Sequence, residues 1–395
     1  MYEAEFPSLT KRVYLDWAAV GVPPLRAIGA VRSLLDSYEV APEAVMSGAN
    51  VWQAKALARD QLAPLLGCSP DHVVFTGTST TSAVQVAVDS IPMARGDNVV
   101  VLDMDFPLAH AEAYRLRARG VEVRVVQNRD GDYDVEDFYD AIDSRTRAVI
   151  VSSVIWVNGV RIDISELAKV AHEAESYLIV DAIQSVGALS PSHLKGADFV
   201  AFGTQKWLLA PFGLGGLCVS DRAVQELEPP RPGYSTTPVS DWDAYWLDPA
   251  KAPFYVEPYR RDSALKFEYG GSFSPIPFVG AASAASLINE VGIENVEARI
   301  MRLRRALVEE LEDAKFEVLS PPETSKASGI VLVRAGEKPR DAQQVAARLR
   351  SRSILVSARG AAGVWGLRVS LHFPNDEDDV VALADALKEI ELAKT

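Results

Sequence analysis

The sequence predicts an α/β fold, with a large domain on a mainly parallel seven-stranded sheet and a smaller α+β domain towards the carboxyl end. Between about residues 70 and 220, short apolar runs rich in β-branched residues alternate with segments of helical period. That alternation is typical of parallel strands joined by helical crossovers. Later in the chain, a long helical apolar face precedes further strand-like runs, which indicates a second domain.

The apolar runs of the large domain predict its strands. In chain order they read HVVF, NVVVLD, VEVRVV, AVIVSSV, YLIVDA, DFVAFG and GGLCVS. Between two of these strands, Ser165 is predicted to cap a helix. The apolar face of that helix would consist of Leu167, Val170, Ala171 and Ala174. Together these segments form a strand–helix–strand unit.

The region after the sheet loses this alternation. Residues 228–263 are rich in proline and aromatic side chains, so we predict a long irregular connection there. A helical apolar face follows, formed by Val296, Ile300, Leu303, Leu307 and Leu311. The strand-like segments of the second domain are FEVLS, GIVLVR, SILVSA and GLRVSLHF.

Composition excludes several classes of protein. The formal net charge of −14 disfavours a nucleic-acid or anionic-membrane partner. No apolar run reaches the roughly 20 residues needed to span a bilayer, and the first residues lack a signal-peptide pattern. Cys68 and Cys218, the only cysteines, provide neither a disulfide framework nor a CxxC metal site. We therefore expect a cytoplasmic protein without a bound metal.

Lys206 and Asp181 are the strongest candidates for chemistry. Lys206 lies in FGTQKWLLAPFGLGG, where every other residue is apolar, small or uncharged. Asp181 ends one predicted strand, and the next predicted strand ends shortly before Lys206. Ligands of parallel sheets bind beyond the carboxyl ends of the strands, so both side chains would reach one cleft. Taken singly, a turn-forming aspartate and a solvated lysine remain alternatives.

This pair has a specific chemical use. A lysine amine forms a Schiff base with an aldehyde cofactor, and a carboxylate keeps the pyridine nitrogen of that cofactor protonated. The pair therefore indicates pyridoxal phosphate (PLP). Such a cofactor also needs a phosphate cradle, a ring-stacking side chain and a clamp for the substrate carboxylate.

Candidates for these additional parts are present. Ser79 and Thr80 begin a predicted helix after a strand, where hydroxyls and free backbone N–H groups favour phosphate. Phe106 follows another strand and offers a ring face, while Arg368 in GLRVSLHF offers a planar fork for a carboxylate. The alternatives are a helix cap, a core phenylalanine and a solvent-facing arginine. His110 fits an exposed helix position better than a catalytic one.

These features together resemble the class V aminotransferase family of fold type I PLP enzymes. That family includes cysteine desulfurases, kynureninases and isopenicillin N epimerase-like proteins. The resemblance covers nearly the whole chain, through YLDWAAVGVPP, SVIWVNGVRIDI, VDAIQSVGAL, FGTQKWLLAPFGLGGL, FEYGGSFSPIP and GLRVSLHFPNDEDDV. It implies a homodimer, with a large PLP-binding domain at 21–262 and a small domain at 1–20 and 263–395.

The resemblance also assigns roles to individual residues. It implies that Lys206 carries the Schiff base, that Asp181 pairs with the pyridine nitrogen and that Gln184 contacts the phenolic oxygen. Arg368 would hold the substrate carboxylate. The implied cofactor-binding set is Ser79, Thr80, Phe106, Asp181, Gln184, Thr204, Gln205, Lys206 and Ser272. Gln205 replaces a histidine of many members, and Ser272 replaces a threonine that reaches the partner subunit's phosphate.

The departures from the family pattern narrow the function. Desulfurases need a cysteine on the loop before the carboxylate-binding arginine, but here that loop reads SARGAAGVWG. Phe106 also stands where desulfurases have histidine. We therefore expect a PLP enzyme that acts on an α-amino acid and a keto acid, first of all an aminotransferase. The alternatives are a PLP lyase or epimerase and, from another class, a non-catalytic scaffold.

Overall fold

The computed structural model of the protein describes residues 2–43, 48–229, 263–268 and 274–392. Almost all of the predicted connection at 228–263 therefore lies outside the described residues. Within the described ranges, no single helix is long and apolar enough to cross a bilayer. The helices at 275–291 and 293–313 pass that test of length and composition only as a pair bent by 77°.

The centre of the fold is a seven-stranded sheet with the order β2-β8-β7-β6-β5-β3-β4. Its strands are β2 Val73–Gly77, β3 Asn98–Leu102, β4 Glu122–Val126, β5 Thr146–Ser152, β6 Tyr177–Asp181, β7 Phe199–Gly203 and β8 Gly215–Val219. β8 runs antiparallel to both of its neighbours, and the other pairs are parallel. The predicted fold class is thus confirmed, and each predicted apolar run forms one of these strands. The valine-rich sequences of β3 and β5 suit burial on both faces.

Helices cover the sheet and build most of the remaining structure. They are α1 Leu25–Val40, α2 Gly48–Leu66, α3 Thr80–Ser90, α4 Pro107–Leu116, α5 Ile164–Glu173, α6 Asp221–Glu226, α7 Pro275–Val291, α8 Ile293–Asp313, α9 Pro339–Ser351 and α10 Glu377–Leu392. The predicted apolar face of α8 is buried as expected, from Val296 to Leu311.

The predicted cap of α5 was wrong. Asp163, not Ser165, caps this helix, and its carboxylate accepts a hydrogen bond from Glu166 N at 3.0 Å. Aspartate caps a helix as well as serine does, and it stands directly before the first apolar helical residue, Ile164. The Ser165 hydroxyl instead donates to Lys195 O at 3.3 Å. The buried face consequently begins at Ile164, and Ala174 is the residue that ends the helix.

A second sheet, with three strands in the order β11-β12-β9, lies within the range predicted for the small domain. Its strands are β9 Ile330–Val333, β11 Ser357–Ala361 and β12 Val364–Ser370, and β10 Ile354–Leu355 stands apart. The predicted strand FEVLS does not form. Only Val318 makes an isolated bridge, to Val333. Since the neighbouring backbone leaves this bridge after one residue, the apolar pattern reflects packing rather than a sheet strand.

An N-terminal segment joins the two halves of the molecule. Strand β1, Val13–Tyr14, pairs in parallel with β10 of the small domain. Ser370 N then donates to Leu15 O at 2.8 Å, and Gly21 N donates to Gln205 O at 2.8 Å. A side chain at position 21 would collide with Lys206 O, since its Cβ would stand 2.1 Å from that oxygen. We call residues 13–21 the N-terminal strap.

Candidate active site

A cavity of about 360 Å³ opens at the carboxyl ends of β5, β6 and β7, opposite the hairpin β11–β12. This is the crevice in which open parallel sheets bind ligands. The predicted site residues that line it are Ser79, Thr80, Phe106, Asp181, Gln184, Gln205, Lys206 and Arg368. Thr204 does not line it, and Ser272 lies outside the described residues.

Lys206 occupies the tight loop that follows β7. Leu209 N donates to Lys206 O at 3.0 Å. This bond and the hydrogen bond from Gly21 N of the strap to Gln205 O hold the loop in place. The side-chain amine reaches into the cavity and lies 5.9 Å from the centroid of the Phe106 ring. Burial lowers the pKa of Lys206 to about 8, although the Asp181 carboxylate opposes that change. The amine is therefore partly neutral, and so nucleophilic, near physiological pH.

Asp181 is the last residue of β6 and faces the same cavity. One carboxylate oxygen accepts a hydrogen bond from Ile183 N at 2.9 Å. Burial raises the pKa of Asp181 above its ordinary value, which that hydrogen bond and the Lys206 charge oppose. A protonated ring nitrogen opposite the carboxylate would supply the missing positive charge, so a pyridinium ring fits this position.

The start of α3 fits a phosphate group. Ser79 caps the helix, its oxygen accepting a hydrogen bond from Ser82 N at 3.4 Å, while its O–H remains able to donate. The buried Thr80 hydroxyl and the Gln205 side-chain oxygen have no hydrogen-bond partner among the described residues. Both face the same space, because a Cβ on Gly203 would stand 2.6 Å from the Thr80 oxygen and 2.8 Å from the Gln205 oxygen. Glycine at 203 leaves that space open.

These unpaired atoms match a phosphate ligand. A threonine hydroxyl can donate, and a glutamine amide can present its NH₂ group in place of its oxygen, since the two ends of an amide are interchangeable in position. The N-terminus of α3 adds free backbone donors and a partial positive charge. The described residues therefore fit the phosphate and the ring of PLP.

Gln184 is held in one orientation by a residue that sequence reasoning missed. The indole N–H of Trp207 donates to Gln184 Oε1 at 2.8 Å, and Gln184 Nε2 donates to Ala18 O at 3.2 Å. Because an indole N–H can only donate, this contact fixes which end of the amide carries the hydrogens. One N–H of Gln184 remains for a ligand in the cavity that this residue lines.

Trp207 is itself held by His372, from the carboxyl-terminal part of the chain. His372 Nε2 donates to Trp207 O at 2.9 Å, and His372 Nδ1 accepts from Phe373 N at 2.8 Å. Burial lowers the pKa of His372 to about 4, so the ring is neutral, as these two bonds require. The sequence around Trp207 gave no indication that its indole would contact Gln184.

Phe106 presents an open ring to the cavity. The side chain is 40% exposed, which excludes the alternative of a core phenylalanine. Its ring packs edge to face against Trp156, with the centroids 5.5 Å apart. His110 instead directs its ring nitrogen to Leu102 O and does not line the cavity.

Arg368 is buried rather than solvent-facing, with 1% of its surface exposed. Its Nη1 donates to Trp156 O at 2.8 Å, and its Nη2 lies 3.4 Å from the Asp16 carboxylate. The Nε atom has no hydrogen-bond partner among the described residues. Burial lowers the pKa of Arg368 to about 10, which leaves it charged at neutral pH. A charged, partly unpaired guanidinium is suited to a substrate carboxylate.

Asp16, on the N-terminal strap, is a second residue that sequence reasoning missed. One of its oxygens accepts from the Ser357 hydroxyl at 2.6 Å, and the other faces Arg368. It therefore orients the arginine from the opposite end of the chain.

The Thr204 hydroxyl faces the protein backbone and not the cavity. Its fully buried hydroxyl lies 3.3 Å from Leu214 O and 3.4 Å from Pro211 O, to which it can donate. These carbonyls belong to the loop after Lys206, so Thr204 closes that loop from behind. The family resemblance had included Thr204 in the implied cofactor-binding set.

The two cysteines lie at a different cavity, formed by the turn after α2 and by β8. Hydrogen bonding with Cys68, together with burial, raises the pKa of the Cys218 thiol. Its thiolate is therefore disfavoured. The hairpin that precedes Arg368 contains arginine and alanine instead of a thiol. The described residues contain no cluster of histidine, cysteine or carboxylate groups suited to a metal ion.

The rate at which the apoprotein captures PLP covalently is expected to rise with pH, with its midpoint near pH 8. The neutral Lys206 amine is the nucleophile, and its pKa is lowered to about 8. Asp181 opposes that lowering, so Asp181→Asn should move the midpoint to lower pH. Stopped-flow absorbance of the cofactor across a pH series measures both. A midpoint near the ordinary lysine pKa of about 10.4 would contradict the expectation.

Comparisons with known proteins agree with this geometry. The family model described as Aminotransferase class-V matches residues 13–383. A probable cysteine desulfurase of Methanothermobacter thermautotrophicus is 30% identical over 310 residues, which cover 77% of this chain and 73% of the relative. A kynureninase of Bacillus anthracis is 25% identical, covering 99% of this chain and 92% of the relative. A solved C-DES variant with glycine covalently linked to its PLP cofactor has a TM-score of 0.84 at 21% identity, over 98% of each chain. That likeness shows the fold.

Proposed function

This chain belongs to the class V aminotransferase family of PLP-dependent enzymes, and on that premise we propose that it transfers the amino group of an α-amino acid to a keto acid. The cavity carries the groups that this reaction needs: an amine, a carboxylate for the ring nitrogen and an arginine for the α-carboxylate.

One observation favours transfer over other reactions of the family. Lys206 lines the cavity as a buried amine, and burial lowers its pKa to about 8. Glu112 also lines it, but its oxygens accept from Gln85 at 2.7 Å and from Arg115 at 3.0 Å. Transamination needs one base that removes a proton and returns it at another carbon. Epimerisation needs a second base on the opposite face, which the described lining residues do not supply.

Each lining residue has a distinct task in this proposal. Bound PLP supplies the electron sink that makes the α-proton acidic. With PLP bound, the Lys206 amine would remove that proton from the substrate α-carbon and would be the group that delivers it to the former aldehyde carbon of the cofactor. Arg368 holds the α-carboxylate, and Asp181 keeps the ring nitrogen protonated. Phe106 and Trp156 keep water from the reacting atoms.

A PLP lyase is the second candidate, because the kynureninase relative aligns with nearly the whole chain. A screen separates the two. Amino acids are added singly to the PLP-loaded protein, and absorbance and products are recorded. A keto acid with conversion of the cofactor to its amine form supports transfer. Side-chain cleavage with the cofactor unchanged supports a lyase.

The same screen tests desulfuration, the activity named for one relative. We propose that cysteine releases no sulfide, because both thiols lie away from Lys206 and the thiol of Cys218 resists ionisation. The double variant Cys68→Ala, Cys218→Ser should therefore keep the turnover of the best substrate. Sulfide release by the wild type that disappears in this variant would support desulfuration instead of amino transfer.

We further propose that the protein acts as a homodimer in which Ser272 approaches the partner's phosphate. The support is the family resemblance of FEYGGSFSPIP, since Ser272 itself lies outside the described residues. Sedimentation of the purified protein tests this assembly, and a fully active monomer would contradict it.

A further inference from the structure

The hairpin β11–β12 brings a second arginine to the cavity. Ser357 pairs with Arg368 and Arg359 pairs with Gly366, so Arg359 and Arg368 project from the same face of the hairpin as diagonal neighbours. Diagonal neighbours of an antiparallel pair are about 7–8 Å apart, within reach of long side chains. Both arginines line the cavity that contains Lys206.

The two arginines differ in how many hydrogen-bond and ion-pair partners the protein provides for them. Arg368 faces Asp16 and Trp156 O, as described above. Half-buried Arg359 makes one hydrogen bond among the described residues, from Nη1 to Ala358 O at 2.9 Å. No carboxylate of the described part of the chain lies within ion-pair distance of it. Most of its donors are therefore available to a ligand.

The charges around Arg359 indicate that its ligand is an anion. Its own charge helps to lower the pKa of both Lys206 and Arg368, which places it electrostatically within the site. The acids that line the cavity are already engaged: Glu112 by Arg115, and Asp181 by its place beside Lys206. Two neighbouring cations on one face of a hairpin repel each other unless an anion compensates them.

The cofactor phosphate is not that anion, because its cradle is elsewhere. The unpaired Thr80 and Gln205 groups meet at Gly203, on the large-domain sheet. Arg359 instead stands beside the α-carboxylate clamp, on the small-domain hairpin. The cavity that both arginines line also has aromatic walls, formed by Phe106, Trp156 and Phe212, and the Trp156 carbonyl contacts Arg368. A ligand in this space would be an aliphatic chain with an anion at each end.

We propose that Arg359 binds a second carboxylate at the side-chain end of the substrate, so that the enzyme acts on dicarboxylic amino acids and their keto acids. This inference rests on the proposed function and names its substrate class. Arg368 takes the α-carboxylate and Arg359 the distal one. A cavity of about 360 Å³ has the size of a site for a small molecule.

The test uses amino acids that differ in one charge at nearly equal shape. For the PLP-loaded wild type, kcat/KM is expected to be about 10- to 200-fold higher for glutamate than for glutamine, or for aspartate than for asparagine. Arg359→Gln should remove most of this preference, while Arg359→Lys should keep part of it because the charge remains. Arg340→Gln is the matched control, since Arg340 is exposed on the same domain. It should behave as the wild type.

Equal rates for the charged and neutral partners in the wild type would overturn the proposal, and so would an unchanged preference in Arg359→Gln. If the proposed transamination is wrong, no amino acid will yield a keto acid. In that case the second carboxylate site is tested by calorimetry, in which the binding of glutarate to the PLP-loaded protein is compared with the binding of pentanoate. Tighter binding of glutarate that is lost in Arg359→Gln supports the second carboxylate site for another reaction, and equal binding overturns it.

Discussion

Replacing Lys206 by alanine is expected to lower amino-acid turnover by at least about 10²–10⁴-fold, the usual contribution of a positioned acid–base group. The variant should also lose PLP on gel filtration, because the amine is the only group proposed to bond the cofactor covalently. Activity on the best substrate and retained cofactor absorbance measure the two losses. A variant that still turns over at the wild-type rate would show that the mechanism is wrong.

The fold should survive this change. The Lys206 amine makes no hydrogen bond to the described residues, and it lies 5.9 Å from the centroid of the Phe106 ring. Circular dichroism and the melting temperature of the PLP-free variant are therefore expected to stay near those of the PLP-free wild type. Lys195→Ala provides the matched control, since Lys195 is exposed near the other cavity. It should retain both activity and cofactor.

The second large effect is expected for Arg368→Ala. Truncating one partner of a buried charge pair costs about 2–5 kcal/mol of binding, which raises the dissociation constant of the substrate by about 30- to 5,000-fold. Equilibrium titration of the cofactor absorbance with substrate measures this. An amine that lacks the α-carboxylate should bind the variant and the wild type alike.

Arg368→Ala also leaves Asp16 without its cation, so a loss of stability must be separated from a loss of binding. The double variant Asp16→Asn, Arg368→Ala removes the stranded charge. It should recover stability in thermal unfolding while its substrate affinity stays low. Recovery of affinity as well would assign Arg368 a purely structural role.

The convergence of Asp181 and Lys206 could be predicted from sequence because it follows from a general rule. Parallel strands expose their carboxyl ends at one edge of a sheet, so the strand pattern alone places both residues there. The same local logic failed for Ser165, because the competing cap, Asp163, stands only two residues earlier. It also failed for FEVLS, whose pairing depends on neighbours that the pattern does not show.

The site residues that were not predicted from the sequence were missed for a different reason. Asp16 meets Arg368 across a sequence separation of 352, and Trp207 meets Gln184 from another loop. Arg359 appeared in the sequence only as part of a loop without cysteine, and its direction follows from the hairpin register. No periodicity or spacing in a single sequence encodes such contacts, since they depend on how distant segments pack.

The N-terminal strap has a consequence for the order in which the protein can be made. Residues 13–14 leave the ribosome about 340 residues before 354–355, with which they pair. At about 5–20 residues per second, they wait roughly 20 to 70 seconds for that partner. Lys206 is made within this interval, and Arg368 of the carboxylate clamp follows only 162 residues after it. A chain that ended before the hairpin β11–β12 would therefore carry the Lys206 amine for the aldehyde of PLP but would lack Arg368 for the carboxylate of the amino acid.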